Sequence, residues 1–571
     1  MIDTQTLAPS SRIRRPLGIA LVCIFLVLWF GTLDEREFFN PDEGRYAEIP
    51  REMLETGDWV TPRLNGLKYF EKPALQYWIT AASYWAFGQQ EWVARLWPAV
   101  SGLLTLLLVY YTGRRLAGVR VGVTTAALLA STFQFFVFSQ ILTLDMGLTF
   151  FLTLALSAFI ASQDRRRTPT QQRNCAVLTW VAMALAVLSK GLVGAVLPAL
   201  VLVVYILVQR DWKLLGRLHW GWGLPAFLLV VAPWFVAVQL RNPEFFQFFF
   251  VHEHFGRFAL SEHHRPGAWY YFVGVLLIGS LPWSWAYLRA TLRAWQTPAL
   301  KNFDIDPLRL LVIWVVVITL FYSLSASKLP GYVLPVYPAL ALLLGSDVAR
   351  DWLSTRYLLG MVASGIVIAI AAPFVTHIPK FAAAADLIVP YIPWGVAGGF
   401  TLAAGSLLTL ITLRRHRVLA LCAVGFGTLL SFQVLLTGTE SIEDAFSSES
   451  LVEIVLDKIG DFDAEAPFYS LEMYDHSLPH HLGRTFTVVQ YQDELTFGSA
   501  QEPQRIVATI AAFRQRWQGH AQAYAIMPPE RYVKEQTART SMSLLASNRN
   551  AVIVARAAPN DATKKPRRPD R

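Results

Sequence analysis

Asp42 and Glu43 in FFNPDEGRYAEIPREM, Glu71 and Lys72 in NGLKYFEKP, Asp145 in LTLDMGLTF, Lys190, Arg257 in VHEHFGRF, and Lys328 with Tyr332 in SKLPGY all stand beside long apolar runs. Charges near membrane depth are costly, so function is the first explanation to test for them. Lys72, Arg257 and Lys328 put three cations next to aromatic residues, a set suited to holding a phosphate. The acids Asp42, Glu43 and Asp145 suit a positive charge. Glu71 and His252 neighbour Lys72 and Arg257 in sequence. If those two cations converge on one phosphate, the carboxylate and imidazole converge as well. With His254, or with His476, His480 or His481, they could then hold a divalent ion. Each residue also has a plainer reading. Asp42 follows Pro41 and precedes a helical stretch, as an N-cap would. Asp145 can cap the next helix of a hairpin, Lys72 can snorkel, Lys190 reads as an interfacial anchor, and Glu71 with His252 reads as a surface ion pair. The aromatics Tyr46, Trp59, Tyr69, Phe70, Trp269 and Tyr270 read as an interfacial belt.

The elements that carry these groups are membrane helices. Of 571 residues, 54% are hydrophobic and only 16% charged, against about 25% charged in soluble domains. Ordinary globular cores cannot hide that much apolar side chain, and disorder requires low hydrophobicity. The chain reads as a polytopic α-helical membrane protein. Its net charge of +9 then bears on orientation rather than on nucleic acid. Cys23, Cys175 and Cys422 all lie in apolar runs, which excludes a disulfide framework or a zinc-thiolate cluster. About thirteen apolar runs have spanning character, at 17–33, 92–112, 121–138, 147–162, 174–188, 191–208, 219–240, 268–288, 307–325, 331–346, 355–376, 392–413 and 418–437. The first follows Arg12, Arg14 and Arg15, lacks a small-x-small cleavage site and reads as an uncleaved anchor.

Threading these spans alternately puts Arg12–Arg15, GRRLAGVR (113–120), DRRRTPTQQR (164–173), QRDWKLLGR (209–217), the Arg289–Lys301 loop and RRHR (414–417) on one side, which is therefore cytoplasmic. The segment 73–88 is ambiguous. Making it a span would move GRRLAGVR to the other side, so it reads as an amphipathic helix lying on the outer surface. The outer side then carries loops 34–91 and 241–267, the neighbourhoods of Asp145 and Lys190, the SKLPGY turn, loop 377–391, and everything after Thr439. Residues 1–439 form the membrane domain. Residues 440–571 form a small soluble α/β domain with strands near 467–475, 484–491, 523–529 and 551–556, a helix near 502–518, and a basic tail. The ionisable residues thus form a rim at the outer ends of the spans. A transporter would put them near the midplane on broken helices in matched repeats.

The segment 38–78, FFNPDEGRYAEIPREMLETGDWVTPRLNGLKYFEKPALQYW, closely resembles the first external loop of bacterial aminoarabinose transferases. These belong to the protein O-mannosyltransferase-like superfamily of polyprenyl-phosphate-sugar transferases, of GT-C type. SASKLPGYVLPVYPALALLLG (325–345) and HFGRF (254–258) fit the same pattern. The likeness covers about residues 15–440 and is weaker beyond. It implies thirteen spans with periplasmic juxtamembrane helices and a soluble periplasmic domain, in the bacterial inner membrane. It implies that Asp42 is the essential acid of the first loop, that Asp145 supports the site, and that Lys72, Arg257 and Tyr332 hold the carrier phosphate, with Tyr69 and Lys328 nearby. The implied donor is undecaprenyl phosphate carrying 4-amino-4-deoxy-L-arabinose, and the acceptor is a phosphate of lipid A. The reaction inverts the anomeric centre. It lowers the negative charge of the outer membrane and with it susceptibility to polymyxin and other cationic peptides. No cofactor is required, and a divalent ion at Glu71 and His252 is the optional addition.

Transfer from a polyprenyl phosphate passes through a cation-like sugar centre and releases a phosphate monoester. Preplaced cations at the leaving phosphate are electrostatic catalysts. A lipid A phosphate is already anionic near neutral pH and hardly needs a general base. Asp42, with Glu43 or Asp145, is therefore expected to bind the donor's ammonium or to stabilise the cation-like centre. Two alternatives stand beside this one: a related transferase acting on another lipid or on protein hydroxyls, and a lipid or sugar flippase.

Overall fold

The computed structural model describes residues 11–256, 267–348, 355–378, 385–413, 417–445, 447–491 and 493–556. All thirteen apolar runs lie on helical elements. The first is α1 (Ser11–Phe30), followed by two helices of the 34–91 loop, α2 (Asp42–Thr56) and α3 (Leu75–Phe87). Next come α4 (Glu91–Ala117), α5 (Val119–Ala130), α6 (Phe133–Gln140), α7 (Leu144–Ser162), α8 (Pro169–Lys190), α9 (Val193–Gln209) and α10 (Trp220–Arg241). After a π-helical turn, Gln247–Gly256, follow α11 (Tyr271–Gly279), α12 (Ser284–Gln296) and α13 (Pro307–Leu324). A 3-10 turn, Pro330–Val336, leads into α14 (Tyr337–Val348); α15 (Thr355–Ala371), α16 (Ile392–Leu413) and α17 (Arg417–Thr437) complete the bundle.

Among the described residues, eight helices are long and apolar enough to cross a membrane. The number rises to ten if the α5–α6 pair, bent by 67°, and the α11–α12 pair, bent by 110°, each count as one span. The expected thirteen exceeds this because hydropathy does not register breaks or short helices. The run 121–138 bends after α5, the run 331–346 opens with a 3-10 turn, and α9 has only 17 residues. The interior helix is α7, with 78% of its apolar window buried, whereas α10, at 17%, offers its apolar side chains outward.

Local sequence explains several helix starts. Thr168 accepts the Gln171 N–H while the Gln171 side chain accepts the Thr168 N–H, a capping box ahead of Pro169. Asp306 accepts the Leu308 and Arg309 N–H groups ahead of Pro307. Four of the loops expected to share the cytoplasmic side meet at one end of the bundle. Asp164 binds Arg166 at 2.7 Å and Arg115 at 3.5 Å, Arg165 binds Asp304 at 2.6 Å, and Arg217 reaches Gln163 at 3.1 Å. The ambiguous segment 73–88 is α3, only 13 residues long, with Trp85 and Phe87 exposed and Tyr77, Thr80, Ala81 and Tyr84 buried.

The C-terminal domain opens with α18 (Glu449–Ile459) and holds a six-stranded sheet. The 34–91 loop supplies a small hairpin, β1 (Arg63–Leu64) with β2 (Leu67–Lys68); the sheet strands are β3 (Phe468–Leu471), β4 (Thr487–Val489), β5 (Ile506–Val507), β6 (Tyr524–Met527), β7 (Ser543–Ser547) and β8 (Val552–Ala555). Their order is β5-β4-β3-β6-β8-β7, with β3 to β6 parallel and β8 antiparallel to both β6 and β7. All four expected strands are present. The expected helix 502–518 begins only at Ile510, because 503–507 form a 3-10 turn and β5. The parallel order reverses between β3 and β6, and at such a switch point the strand ends form the crevice of an open α/β sheet. Here the segment after β3, Tyr474–Ser477, docks onto the 34–91 loop.

Candidate functional site

The docking begins at Gly44. A Cβ there would lie 2.5 Å from the backbone of His476 and Ser477, so a side chain at position 44 would push the C-terminal domain off α2. Around this contact Asn40 donates to Asp475 at 3.1 Å, and Asn65 exchanges two hydrogen bonds with the Phe486 backbone at 2.7 and 2.8 Å. Arg63 pairs with Glu502 at 3.0 Å. Tyr474, Val488 and Leu495 share one apolar cluster with Phe38, Tyr46, Tyr69, Phe70 and Tyr77. The loop and the domain therefore make one packed unit.

Asp42 is the first residue of α2, but no side chain caps that helix. Its carboxylate pairs instead with Arg45, one turn on, and stays 40% exposed. Arg45 is buried and pairs also with Glu494 of the C-terminal domain, its guanidinium lying 5.1 Å from the Tyr46 ring and 6.0 Å from the Tyr69 ring. His476 closes the chain, its Nε2 at 3.3 Å from Glu494. Burial pushes the Glu494 carboxyl up while Arg45 opposes it, and the charges of Glu71 and Asp42 also act on this group. Tyr69, expected near the carrier phosphate, is buried here, and its hydroxyl has no hydrogen-bond partner among the described residues.

Glu43 departs from its expected place beside Asp42 as a ligand for positive charge in the substrate. It is fully buried and both its oxygens are engaged. Arg36 donates at 2.5 and 3.1 Å, Arg95 at 3.0 and 3.5 Å, and the Phe39 and Leu142 N–H groups at 3.0 and 2.7 Å. Burial pushes its carboxyl up, but the two guanidinium groups outweigh burial and hold it well below the ordinary carboxylate range. Glu43 thus ties the Asp42 loop to the segment just before Asp145, and Arg36 reinforces the tie by donating to the Gln140 carbonyl at 2.8 Å.

Asp145 sits in the first turn of α7 and accepts from Lys190, the last residue of α8, at 2.5 Å. The Lys190 ammonium lies 5.4 Å from the Tyr332 ring, and Tyr332 packs against Tyr322 with the rings tilted and their centres 4.9 Å apart. At Gly331 a Cβ would come within 2.7 Å of the Asp145 carboxyl and 2.8 Å of the Phe138 ring, so a side chain there would press on both as the SKLPGY turn closes over Asp145. Gln76 of α3 holds these helix ends in place, donating to the Leu144 carbonyl at 2.8 Å and to Ser189, and accepting from Trp97 at 3.0 Å. Lys190, expected as an interfacial anchor, is therefore the direct partner of Asp145.

The two loops do converge at Lys72. Its ammonium donates to the Glu71 carbonyl at 2.9 Å and lies 3.8 Å from the Glu71 carboxylate and 3.7 Å from Glu253. His252, half exposed and stacked on Phe248, has its Nδ1 at 4.0 Å from Glu253. Among the described residues, Glu71 and His252 do not belong to a three-residue group with metal-ligand convergence. Arg257 lies outside the described residues. Lys328 differs from expectation: it is buried and donates to the Ser323 and Ser325 carbonyls at 3.0 and 2.6 Å. A cation at the carbonyl end of α13 stabilises that helix end.

Arg45 and Glu253 were readable candidates, the first by its three-residue spacing from Asp42 and the second by its place inside VHEHFGRF. Glu494 carried no sequence signal, because it reaches the site only through domain docking; His476, expected as a possible metal ligand, pairs with Glu494 instead.

The buried histidine makes that docking acid-sensitive. Burial, then Arg45, pushes His476 down to about 3, against an ordinary value of about 6.5. The unfolded chain therefore binds this proton more readily, and stability rises with pH. The contribution is present above pH about 6.5 and is lost as pH falls toward 3. Thermal unfolding of the detergent-purified protein should shift downward between pH 7 and 4, and His476→Asn should flatten that dependence. An unchanged slope in the variant would remove His476 from this role.

Similarity to known proteins now bears on this arrangement. Residues 17–249 match the family described as Dolichyl-phosphate-mannose-protein mannosyltransferase, and residues 457–556 match the Aminoarabinose transferase C-terminal domain. The chain is 31% identical over 455 residues, 77% of its length and 79% of the relative's, to undecaprenyl phosphate-alpha-4-amino-4-deoxy-L-arabinose arabinosyl transferase 2 of Sodalis glossinidius. It is 36% identical over 345 residues, 59% of this chain and 60% of the other, to the undecaprenyl phosphate-alpha-4-amino-4-deoxy-L-arabinose arabinosyl transferase of Pseudomonas aeruginosa. The crystal structure of ArnT from Cupriavidus metallidurans bound to undecaprenyl phosphate superposes with a TM-score of 0.88 at 37% identity, covering 95% of this chain and 98% of that one.

Proposed function

The chain belongs to the family of undecaprenyl phosphate-α-4-amino-4-deoxy-L-arabinose arabinosyl transferases, and we propose that it carries out their transfer, moving the amino sugar from undecaprenyl phosphate to a phosphate of lipid A. It does so at the periplasmic face of the bacterial inner membrane, with the amino terminus and the basic loops cytoplasmic. The observation that carries the reading is the near full-length likeness to a transferase crystallised with undecaprenyl phosphate.

The carrier phosphate gains negative charge as the glycosidic bond breaks. Lys72, Arg257 and the Tyr332 hydroxyl receive it, with Lys190 close to Tyr332 and Lys328 bracing the turn between them. Lys72 stands between the carboxylates of Glu71 and Glu253, so a phosphate entering there displaces acidic neighbours and draws the ammonium to itself. Asp42, half open and held by Arg45, faces the positive end of the donor, its ammonium or the cation-like anomeric centre. Asp145 holds Lys190 in position. The attacking oxygen belongs to a lipid A phosphate already ionised at neutral pH, so no proton need be removed. Inversion follows from attack opposite the departing phosphate. Both substrates are lipids and reach the site laterally from the bilayer.

Loss of one charge-assisted phosphate contact is worth about 1.5–3 kcal/mol, so Lys72→Ala and Arg257→Ala should each raise the donor KM roughly tenfold or more, with normal amounts of protein in the membrane. Failure of both variants to accumulate as folded protein would instead make these residues structural ion-pair members. Acceptor profiling with a radiolabelled donor separates lipid A transfer from glycosylation of protein hydroxyls.

A further inference from the structure

A second convergence of ligand-type side chains lies away from the groups assigned above, where the C-terminal domain meets the membrane bundle. Glu91 is the first residue of α4, Glu449 the first of α18, and His481 sits in the short helix Leu478–Leu482. One donor atom from each lies within 4.8 Å of the others. His481 Nε2 is 3.4 Å from Glu449 Oε2 and 3.9 Å from Glu91 Oε1. Two ligands about 2.0–2.1 Å from a tetrahedral zinc are separated by about 3.3 Å, so a small inward movement brings all three into a coordination shell.

Independent of that clustering is the state of the imidazole. The His481 side chain is only 10% exposed, its Nε2 points at the two carboxylates, and that nitrogen has no hydrogen-bond partner among the described residues. The buried Oε1 of Glu91 likewise has none, while its Oε2 accepts from Arg95 at 3.0 Å. An oriented carboxylate whose second oxygen is held by a neighbour is the usual support of a metal ligand. Arg95 offsets the charge of Glu91 from one side, and a cation between the two carboxylates offsets their repulsion on the side that faces His481.

We propose that Glu91, Glu449 and His481 bind a divalent cation, zinc by the chemistry of the donor set, which clamps the C-terminal domain to the first turn of α4. Water supplies the remaining coordination. The ion has no part in the transfer chemistry. Arg95 also holds Glu43, so the clamp joins the network that fixes the Asp42 loop against the segment before Asp145.

The test uses full-length protein in detergent, stripped with EDTA and then dialysed against zinc chloride. Elemental analysis should find zinc retained, and thermal unfolding should move upward on zinc addition but not on magnesium addition. His481→Gln and Glu91→Gln should each lose one equivalent of zinc and the zinc-dependent shift. If His481→Gln does not accumulate, Glu449→Gln, at the more exposed corner of the cluster, carries the same expectation. Uptake by the variants equal to that of the unaltered protein, no uptake by the unaltered protein, or an equal shift with magnesium would each overturn the proposal. Zinc absorption spectroscopy showing only nitrogen and oxygen ligands at about 2.0–2.1 Å would support it; a sulfur ligand would contradict it.

Discussion

Asp42→Asn is expected to lower transfer of the amino sugar by roughly 10²–10³-fold, the scale set by removing one preorganised electrostatic contact to a transition state, while folded protein in the membrane stays at its usual level. The geometry gives both halves of that expectation. Asp42 is 40% exposed and, among the described residues, Arg45 alone pairs with it, so its replacement by asparagine opens no cavity. Arg45 keeps Glu494 and its aromatic neighbours, so no buried cation is left unpaired. Parallel assays with a neutral-sugar donor separate two roles. A loss confined to the amino-sugar donor assigns Asp42 to the ammonium. An equal loss with both donors assigns it to the cation-like centre. A variant with full turnover on the amino sugar would remove Asp42 from the reaction.

Glu43→Ala, one residue on, should fail for a different reason. It removes the carboxylate that Arg36 and Arg95 share, both buried, leaving Arg95 its pair with Glu91, and it leaves the Phe39 and Leu142 N–H groups without their acceptor. Removing one partner of a buried ion network costs about 3–5 kcal/mol, enough to lower the unfolding temperature sharply and reduce the protein recovered from membranes. Glu43→Gln keeps an acceptor but not the charge and should fall between. A Glu43→Ala protein that unfolds at the usual temperature yet transfers no sugar would make Glu43 a catalytic group.

The sequence made some of this readable and hid the rest for physical reasons. Thirteen apolar runs translate into helices because burial and backbone hydrogen bonding in lipid leave few other solutions. The break after Ala130 and the 3-10 entry into α14 escaped, because hydropathy sums over a window and does not record where the axis bends. Charge asymmetry between loops placed 73–88 as a surface helix rather than a span, and α3, at 13 residues, is too short to cross. At the site, Asp42, Lys72 and Asp145 stood out because an ionised group beside an apolar run is rarely neutral in its consequences. Glu43 and Lys328 stood out for the same reason, but they serve the fold, one as an ion-network centre and the other at a helix terminus. Sequence cannot distinguish these roles, because the distinction lies in which partners the folded chain brings to each group: arginines around Glu43, and the Ser323 and Ser325 carbonyls at Lys328. Arg36 and Arg95 surround Glu43; Glu494, hundreds of residues away, meets Arg45. The pairing of Arg45 with Glu494 is set by docking of the C-terminal domain, and no local pattern encodes it.

The most direct test of the central reading is mass spectrometry of lipid A from a Gram-negative host that makes the undecaprenyl-phosphate amino-sugar donor but lacks its own transferase. Expression of this chain should add a phosphate-linked amino-pentose to lipid A, and the Asp42→Asn variant at equal membrane abundance should leave lipid A almost unmodified. Unmodified lipid A in cells that hold both the donor and the unaltered protein, with the sugar found instead on protein or on another lipid, would contradict it.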